Sequence, residues 1–285
     1  MSRQVMVEKK NGDSELAGAQ EKGFGLLARA KKGFELTVRD DQHEFSTLVD
    51  AIRICRRKGS RFRLIDTGKL GLSELEWLGE AGADIYTSDE AKPKIEELDV
   101  LAKACLRGKA VVAYFHHGQI VKESSDGAGS LTFLAEAGRS GIYLHLSNRE
   151  KKRDWSSLVE VASACRQGGA WLVYYHHGPL VEGMGSLARS GGWVHLSDRS
   201  LPTPEDVSSL PEMIRESSPG GSRFVLHIEE GLAIDGLKEI LKAGAFVLFK
   251  TPASDFRSRL GELEQRASKK KLDHRAYYLY TTFLP

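Results

Sequence analysis

The apolar positions of this chain fall in short runs of strand length, and the runs are of two kinds that alternate. The first kind ends in a polar pair and a glycine. It is plainest in Ala110-Val-Val-Ala-Tyr-Phe-His-His-Gly118 and Ala170-Trp-Leu-Val-Tyr-Tyr-His-His-Gly178. Arg61-Phe-Arg-Leu-Ile-Asp-Thr-Gly68 and Arg223-Phe-Val-Leu-His-Ile-Glu-Glu-Gly231 repeat it more loosely. The second kind follows a small residue: Ala83-Asp-Ile-Tyr-Thr-Ser-Asp89, Gly141-Ile-Tyr-Leu-His-Leu-Ser-Asn148, Gly192-Trp-Val-His-Leu-Ser-Asp198 and Ala245-Phe-Val-Leu-Phe-Lys-Thr251, with Phe34-Glu-Leu-Thr-Val-Arg-Asp40 opening the series.

Between the runs lie stretches with helical spacing. Long ones follow the second kind of strand, at His43 to Lys58, Lys94 to Arg107, Asp154 to Arg166, Pro204 to Glu216 and Asp255 to about Ser268. Short ones follow the first, at Ser73 to Glu80, Ser130 to Glu136, Gly185 to Arg189 and Ile234 to Lys242. The short helices close on Gly82, Gly138, Gly191 and Gly244, where a left-handed glycine can end a helix and turn the chain into the next strand.

Regular β–α alternation implies parallel strands joined by helical crossovers. The internal period points to a parallel (β/α)8-type barrel of tandem two-strand βαβα repeats, since an open doubly wound sheet has edges and a switch point that break the equivalence of units. Nine strands are one too many for eight places, so an extra N- or C-terminal strand, at Phe34 or at Phe246, is expected outside the ring. The domain reading is a polar, partly helical extension over 1–32, the barrel over 33–268, and an aromatic C-terminal tail over 269–285.

Composition adds exclusions. A chain of 285 residues can bury a large core, and a net charge of +2 leaves no electrostatic footprint for nucleic acid. No run reaches membrane-spanning length and the first residues lack a signal-peptide core, so a cytoplasmic protein with no membrane partner is expected. Cys55, Cys105 and Cys165 recur at one position of three long helices, which suits unpaired core residues.

Alternation then sorts the side chains. In the second kind of strand Leu36, Val38, Ile85, Leu144, Leu146, Val194, Leu196 and Leu248 share one parity and suit the helix face. Glu35, Thr37, Arg39, Asp84, Tyr86, Ser88, Tyr143, His145, Ser147, Trp193, His195 and Ser197 share the other, the barrel interior. For the first kind two registers are open. The favoured one points Asp66, His116, His176 and Glu229 inward, above Leu64, Tyr114, Tyr174 and His227, with Ile65, Phe115, Tyr175 and Ile228 toward the helices.

Two imidazoles and two carboxylates from four strands suit a divalent ion, zinc or manganese, so Asp66, His116, His176 and Glu229 are the expected metal ligands. His145, His195, His227 and Arg39 are the expected catalytic groups, and Asp84, Tyr86, Tyr114, Tyr174 and Trp193 would line the substrate. The function this implies is metal-assisted hydrolysis or proton transfer on a small polar or phosphorylated substrate. The alternative is a non-enzymatic binding or assembly protein, a homo-oligomer joined through the tail Tyr277-Tyr-Leu-Tyr-Thr-Thr-Phe-Leu-Pro285.

Overall fold

The computed structural model describes residues 19–91, 93–122, 129–149, 151–217, 223–228 and 234–249. Nine strands alternate with helices there: α1 (Ala19–Lys31), β1 (Leu36–Arg39), α2 (Phe45–Lys58), β2 (Phe62–Ile65), α3 (Leu72–Ala81), β3 (Asp84–Ser88), α4 (Ile95–Gly108), β4 (Val112–His116), α5 (Ser130–Arg139) and β5 (Tyr143–Ser147). They continue through α6 (Trp155–Gln167), β6 (Leu172–Tyr175), α7 (Gly183–Arg189), β7 (Trp193–Ser197), α8 (Pro204–Ser217), β8 (Phe224–Ile228), α9 (Ile234–Ala243) and β9 (Phe246–Phe249). All nine strands belong to one sheet in sequence order, the order of a (β/α) barrel. Both β1 and β9 are hydrogen-bonded members of it, paired in parallel with β2 and β8, so the sheet has nine strands, one more than an eight-stranded barrel. The expected helix after Asp255 and the aromatic tail lie outside the described residues.

The helices form where the apolar spacing placed them. In α2 one face buries Leu48, Val49, Ile52 and Cys55, and in α4 Leu98, Leu101 and Cys105. Each large aliphatic side chain buried this way contributes roughly 1.5–3 kcal/mol. Glu74 and Glu97 reach back to the backbone N–H of Gly71 and Lys94, at 2.9 and 2.8 Å, and fix the starts of α3 and α4. Gly82, Gly191 and Gly244 have positive φ and turn the chain out of α3, α7 and α9. The expected stop at Gly138 is different, because α5 continues to Arg139 and the left-handed residue is Gly141. All three cysteines are buried, and among the described residues none is in a disulfide.

The chain forms two compact units. One runs up to His145 and adds Gln167–Ala170; the other takes Leu146–Arg166 and continues from Trp171.

Register decides the faces. In the first unit, the pairs Val38↔Leu64, Leu64↔Ile85, Ile85↔Val112 and Thr87↔Tyr114 define one face. It is the helix face, for Tyr114 lies edge-on to Phe133 of α5 at 5.5 Å. The opposite face carries Thr37, Arg63, Ile65, Asp84, Tyr86 and Phe115. In the second unit Tyr174↔Val194↔Phe224 and Leu196↔Leu226↔Val247 share the helix face, where Tyr174 meets Trp155 of α6 at 5.4 Å. Tyr175, Trp193, His195, Ser197, His227 and Leu248 share the other.

The favoured register of the first strand kind is therefore reversed in β2, β4 and β6, Leu64 taking the helix face and Ile65 the opposite one in β2. Tyr114, His116, Tyr174 and His176 belong with the helix-facing aliphatics. Phe115 and Tyr175 occupy the opposite face, where Phe115 stacks on His145 at 4.5 Å and Tyr175 packs at a tilt against His195 at 4.6 Å. Strand β8 keeps His227 opposite the helices, so His227 does not share a face with Tyr174. Leu248 pairs with His227 and sits on the imidazole face as well.

Candidate functional site

The polar pairs that end the first kind of strand are held by a device that recurs three times. The residue directly after β1, β3 or β5 is an aspartate or asparagine, and it grips the turn at the end of the next strand. Asp40 accepts hydrogen bonds from the backbone N–H of Thr67 (3.1 Å), the Thr67 hydroxyl (2.5 Å) and the N–H of Leu70 (3.3 Å). Asp89 accepts from the N–H groups of His117 (2.7 Å) and Gly118 (2.8 Å). Asn148 accepts from His177 N–H at 2.7 Å and donates to the His177 carbonyl at 2.8 Å. Turn donors that no strand can pair are thereby satisfied. Asp198 follows β7 at the equivalent place and is buried.

The histidines are drawn into the same device with different protons. Asp89 has only acceptors, so at 3.0 Å His116 donates through Nδ1. Tyr114 donates its hydroxyl to the same carboxylate. Burial would raise the Asp89 carboxyl, but His116, Tyr114 and the Gly118 N–H hold it well below the usual carboxylate range. In the other copy Asn148 presents its NH2 to Nδ1 of His176 at 3.3 Å, and Nε2 donates to the Pro179 carbonyl at 2.9 Å. His176 is thus the neutral Nε2–H tautomer, and burial pushes its pKa down.

On the opposite face two imidazoles meet. Nδ1 of His195 in β7 and Nε2 of His227 in β8 lie 2.9 Å apart, with ring centroids separated by 5.1 Å. His195 is buried and half-buried His227 reaches solvent, while the Tyr175 ring packs on His195. One ring must donate to the other, so a proton arriving at His227 can be handed to a buried neighbour. His145 stacks on Phe115 in complete burial, which drives its pKa down to about 3 and leaves it neutral.

Of the expected catalytic groups, the structure joins His195 with His227 and commits the others elsewhere. Arg39 is largely exposed and forms an ion pair with Asp41 at 3.0 Å. Among the expected substrate contacts, Asp84 stands at the N-terminal end of β3, bound to Arg61 at 3.3 Å and to the Val111 N–H at 3.1 Å. Tyr86 is fully buried, edge-on to Phe115. Tyr114 and Tyr174 pack under helices, and Trp193 lies at the far end of β7 from the turns.

The expected metal set is not formed by its described members. Both ring nitrogens of His176 are engaged, His116 donates to Asp89, and Asp66 accepts from the Gly68 N–H at 2.9 Å. Among the described residues no three His, Cys, Asp or Glu side chains converge as ion ligands, and Glu229 is outside them. Asp40, Asp89 and Asn148, which hold the turns at the strand ends, are the positions missed. Their signal was in the sequence, as an Asx directly after Arg39, Ser88 and Ser147, where it reads equally as a helix N-cap.

No family model and no curated protein matches the chain. Among solved structures, similarity is found to D-psicose 3-epimerase in the presence of D-fructose (13% identity, 73% of this chain and 96% of that one, TM-score 0.33). A tetrameric deoxyribose phosphate aldolase from Aeropyrum pernix is similar at 12% identity over 86% of this chain and 97% of that one, with a TM-score of 0.31. A variant citrate synthase matches at 12% over 86% and 99%, also at 0.31. Likeness of this size bears on neither the site residues nor the reaction.

Proposed function

We propose that the chain is an enzyme that moves a proton on a small polar substrate, with His227 as the group that meets the substrate and His195 as its buried proton partner. The observation that carries this reading is the 2.9 Å hydrogen bond between the two imidazoles, one closed to water and one open to it. A buried imidazole needs a partner, and any acceptor would satisfy that need. A second imidazole, unlike a carbonyl, can take up or release the proton near neutral pH. Tyr175 packs on His195 on one side and Leu248 stands beside His227 on the next strand. The reading calls on neither His116, whose Nδ1 binds Asp89, nor His176, whose two ring nitrogens meet Asn148 and the Pro179 carbonyl.

A proton-transfer enzyme exchanges a substrate C–H or O–H-adjacent hydrogen with solvent, so the test is incorporation of deuterium from D2O into a panel of small hydroxycarbonyl compounds and their phosphate esters, followed by NMR. Both His227→Gln and His195→Gln should slow exchange, His227→Gln by roughly 10²–10⁴-fold, the usual worth of a general acid–base group. His145→Phe, on another strand and stacked on Phe115, should leave it unchanged. Exchange that survives His227→Gln at the parent rate removes the proposal.

A further inference from the structure

At the N-terminal ends of β6 to β9, away from the turns, the imidazole face closes with a group of rings around one cation. Trp171 directly precedes β6, Trp193 opens β7, Arg223 precedes β8 and Phe246 opens β9. The two indoles are 5.6 Å apart between centroids, and Trp193 is 5.6 Å from Phe246. The guanidinium carbon of Arg223 stands over both indoles, 5.8 Å from Trp171 and 5.6 Å from Trp193. Ring faces engage the flat sides of a guanidinium and leave its in-plane N–H fork for something else.

What should meet that fork is absent from the described residues. No carboxylate there pairs with Arg223. The charge that acts on it is that of a second arginine, Arg166 at the end of α6, whose aliphatic stem packs against Gly191. Burial, and then Arg166, push the Arg223 pKa down, the mark of a cation that lacks a counter-charge. Beside it the indole N–H of Trp193 is buried and has no hydrogen-bond partner among the described residues, although Trp193 itself is only 7% exposed. Two arginines and an unused buried donor in one place share a single remedy, an anion with several acceptor oxygens.

We propose that Arg223, Arg166 and the indole N–H of Trp193 form a binding site for a small tetrahedral oxyanion of the phosphate type, separate from the His195–His227 pair. Arg223 supplies the two-pronged fork, Arg166 the second charge, and Trp193 a neutral donor that fixes orientation.

The test uses the full-length protein and inorganic phosphate, titrated at constant ionic strength against sodium chloride, with melting temperature and indole fluorescence as readouts. Phosphate should raise the melting temperature and change the emission saturably, where chloride does neither. Trp193→Phe keeps the stacked ring and removes the N–H, and should weaken phosphate binding roughly tenfold. Arg223→Gln should abolish it. Arg166 is exposed, so Arg166→Gln provides a variant that folds whatever becomes of Arg223→Gln, and it too should weaken binding. Phosphate that acts no differently from chloride, or Trp193→Phe and Arg166→Gln variants that bind as the parent does, would overturn the site.

Discussion

Asp89 and His116 share a 3.0 Å hydrogen bond in which the carboxylate accepts the Nδ1 proton while the same carboxylate holds the backbone of the following two residues. Removing it strands a turn and an imidazole together. Asp89→Ala is expected to cost about 2–4 kcal/mol in denaturant unfolding, since hydrogen bonds to a charged acceptor and two backbone donors go at once. Asp89→Asn should recover part of that loss and copy the Asn148 arrangement. The 15N shifts of the His116 ring should then report the Nε2–H form, whereas the parent shows Nδ1–H.

Acidity should weaken the fold through Asp89. Its carboxyl titrates lower in the folded chain than its ordinary value of 3.8. The stabilisation is therefore complete above pH 3.8 and is lost as pH falls below it through the folded value. Unfolding free energies measured from pH 5 downward should fall less steeply in Asp89→Asn than in the parent.

His145 acts in a higher window. Its folded pKa of about 3 lies beneath the ordinary 6.5, so between those values the unfolded chain holds a proton that the folded chain refuses. Stability should drop as pH is lowered from 6.5 toward 3 and be indifferent to this residue above 6.5. His145→Phe, which preserves the stack on Phe115, is expected to flatten that slope by up to one proton.

Two glycine pairs set how closely helices approach. A Cβ on Gly108 would run into the Gly79 carbonyl, and one on Gly168 into the Gly138 carbonyl. Backbone cannot yield as a side-chain tip can. Gly108→Ala and Gly168→Ala should each destabilise by roughly 1–3 kcal/mol, read as a lowered melting temperature, although at Gly108, the last residue of α4, alanine is the better helix former.

The order and kinds of element were legible because spacing and glycines state them locally: α8 was expected from Pro204 to Glu216 and runs Pro204–Ser217. Which way a short strand faces was not legible where both parities carry large side chains. In Tyr114-Phe115-His116 every residue is buried, so alternation offers no contrast, and the choice is made by Asp89, 25 residues before Tyr114. The same holds at Tyr174-Tyr175-His176 with Asn148. In β7 only one parity is polar, at His195 and Ser197, and there the expected face agrees with the register, as it does for His227 in β8. Gly138 was misread for a related reason: a glycine near a helix end serves close packing as well as termination, and only the neighbour at Gly168 distinguishes the two.

Each strap runs forward, from the end of one strand to the turn after the next. The architecture therefore has a phase. A segment copied from β3 through β4 brings Asp89 together with the amides it holds, whereas one copied from β4 through β5 inherits a turn with no anchor and an Asn148 with nothing to anchor. A piece cut from β3 through β4 is accordingly the self-contained one, since it carries both the carboxylate and the amides that the carboxylate holds.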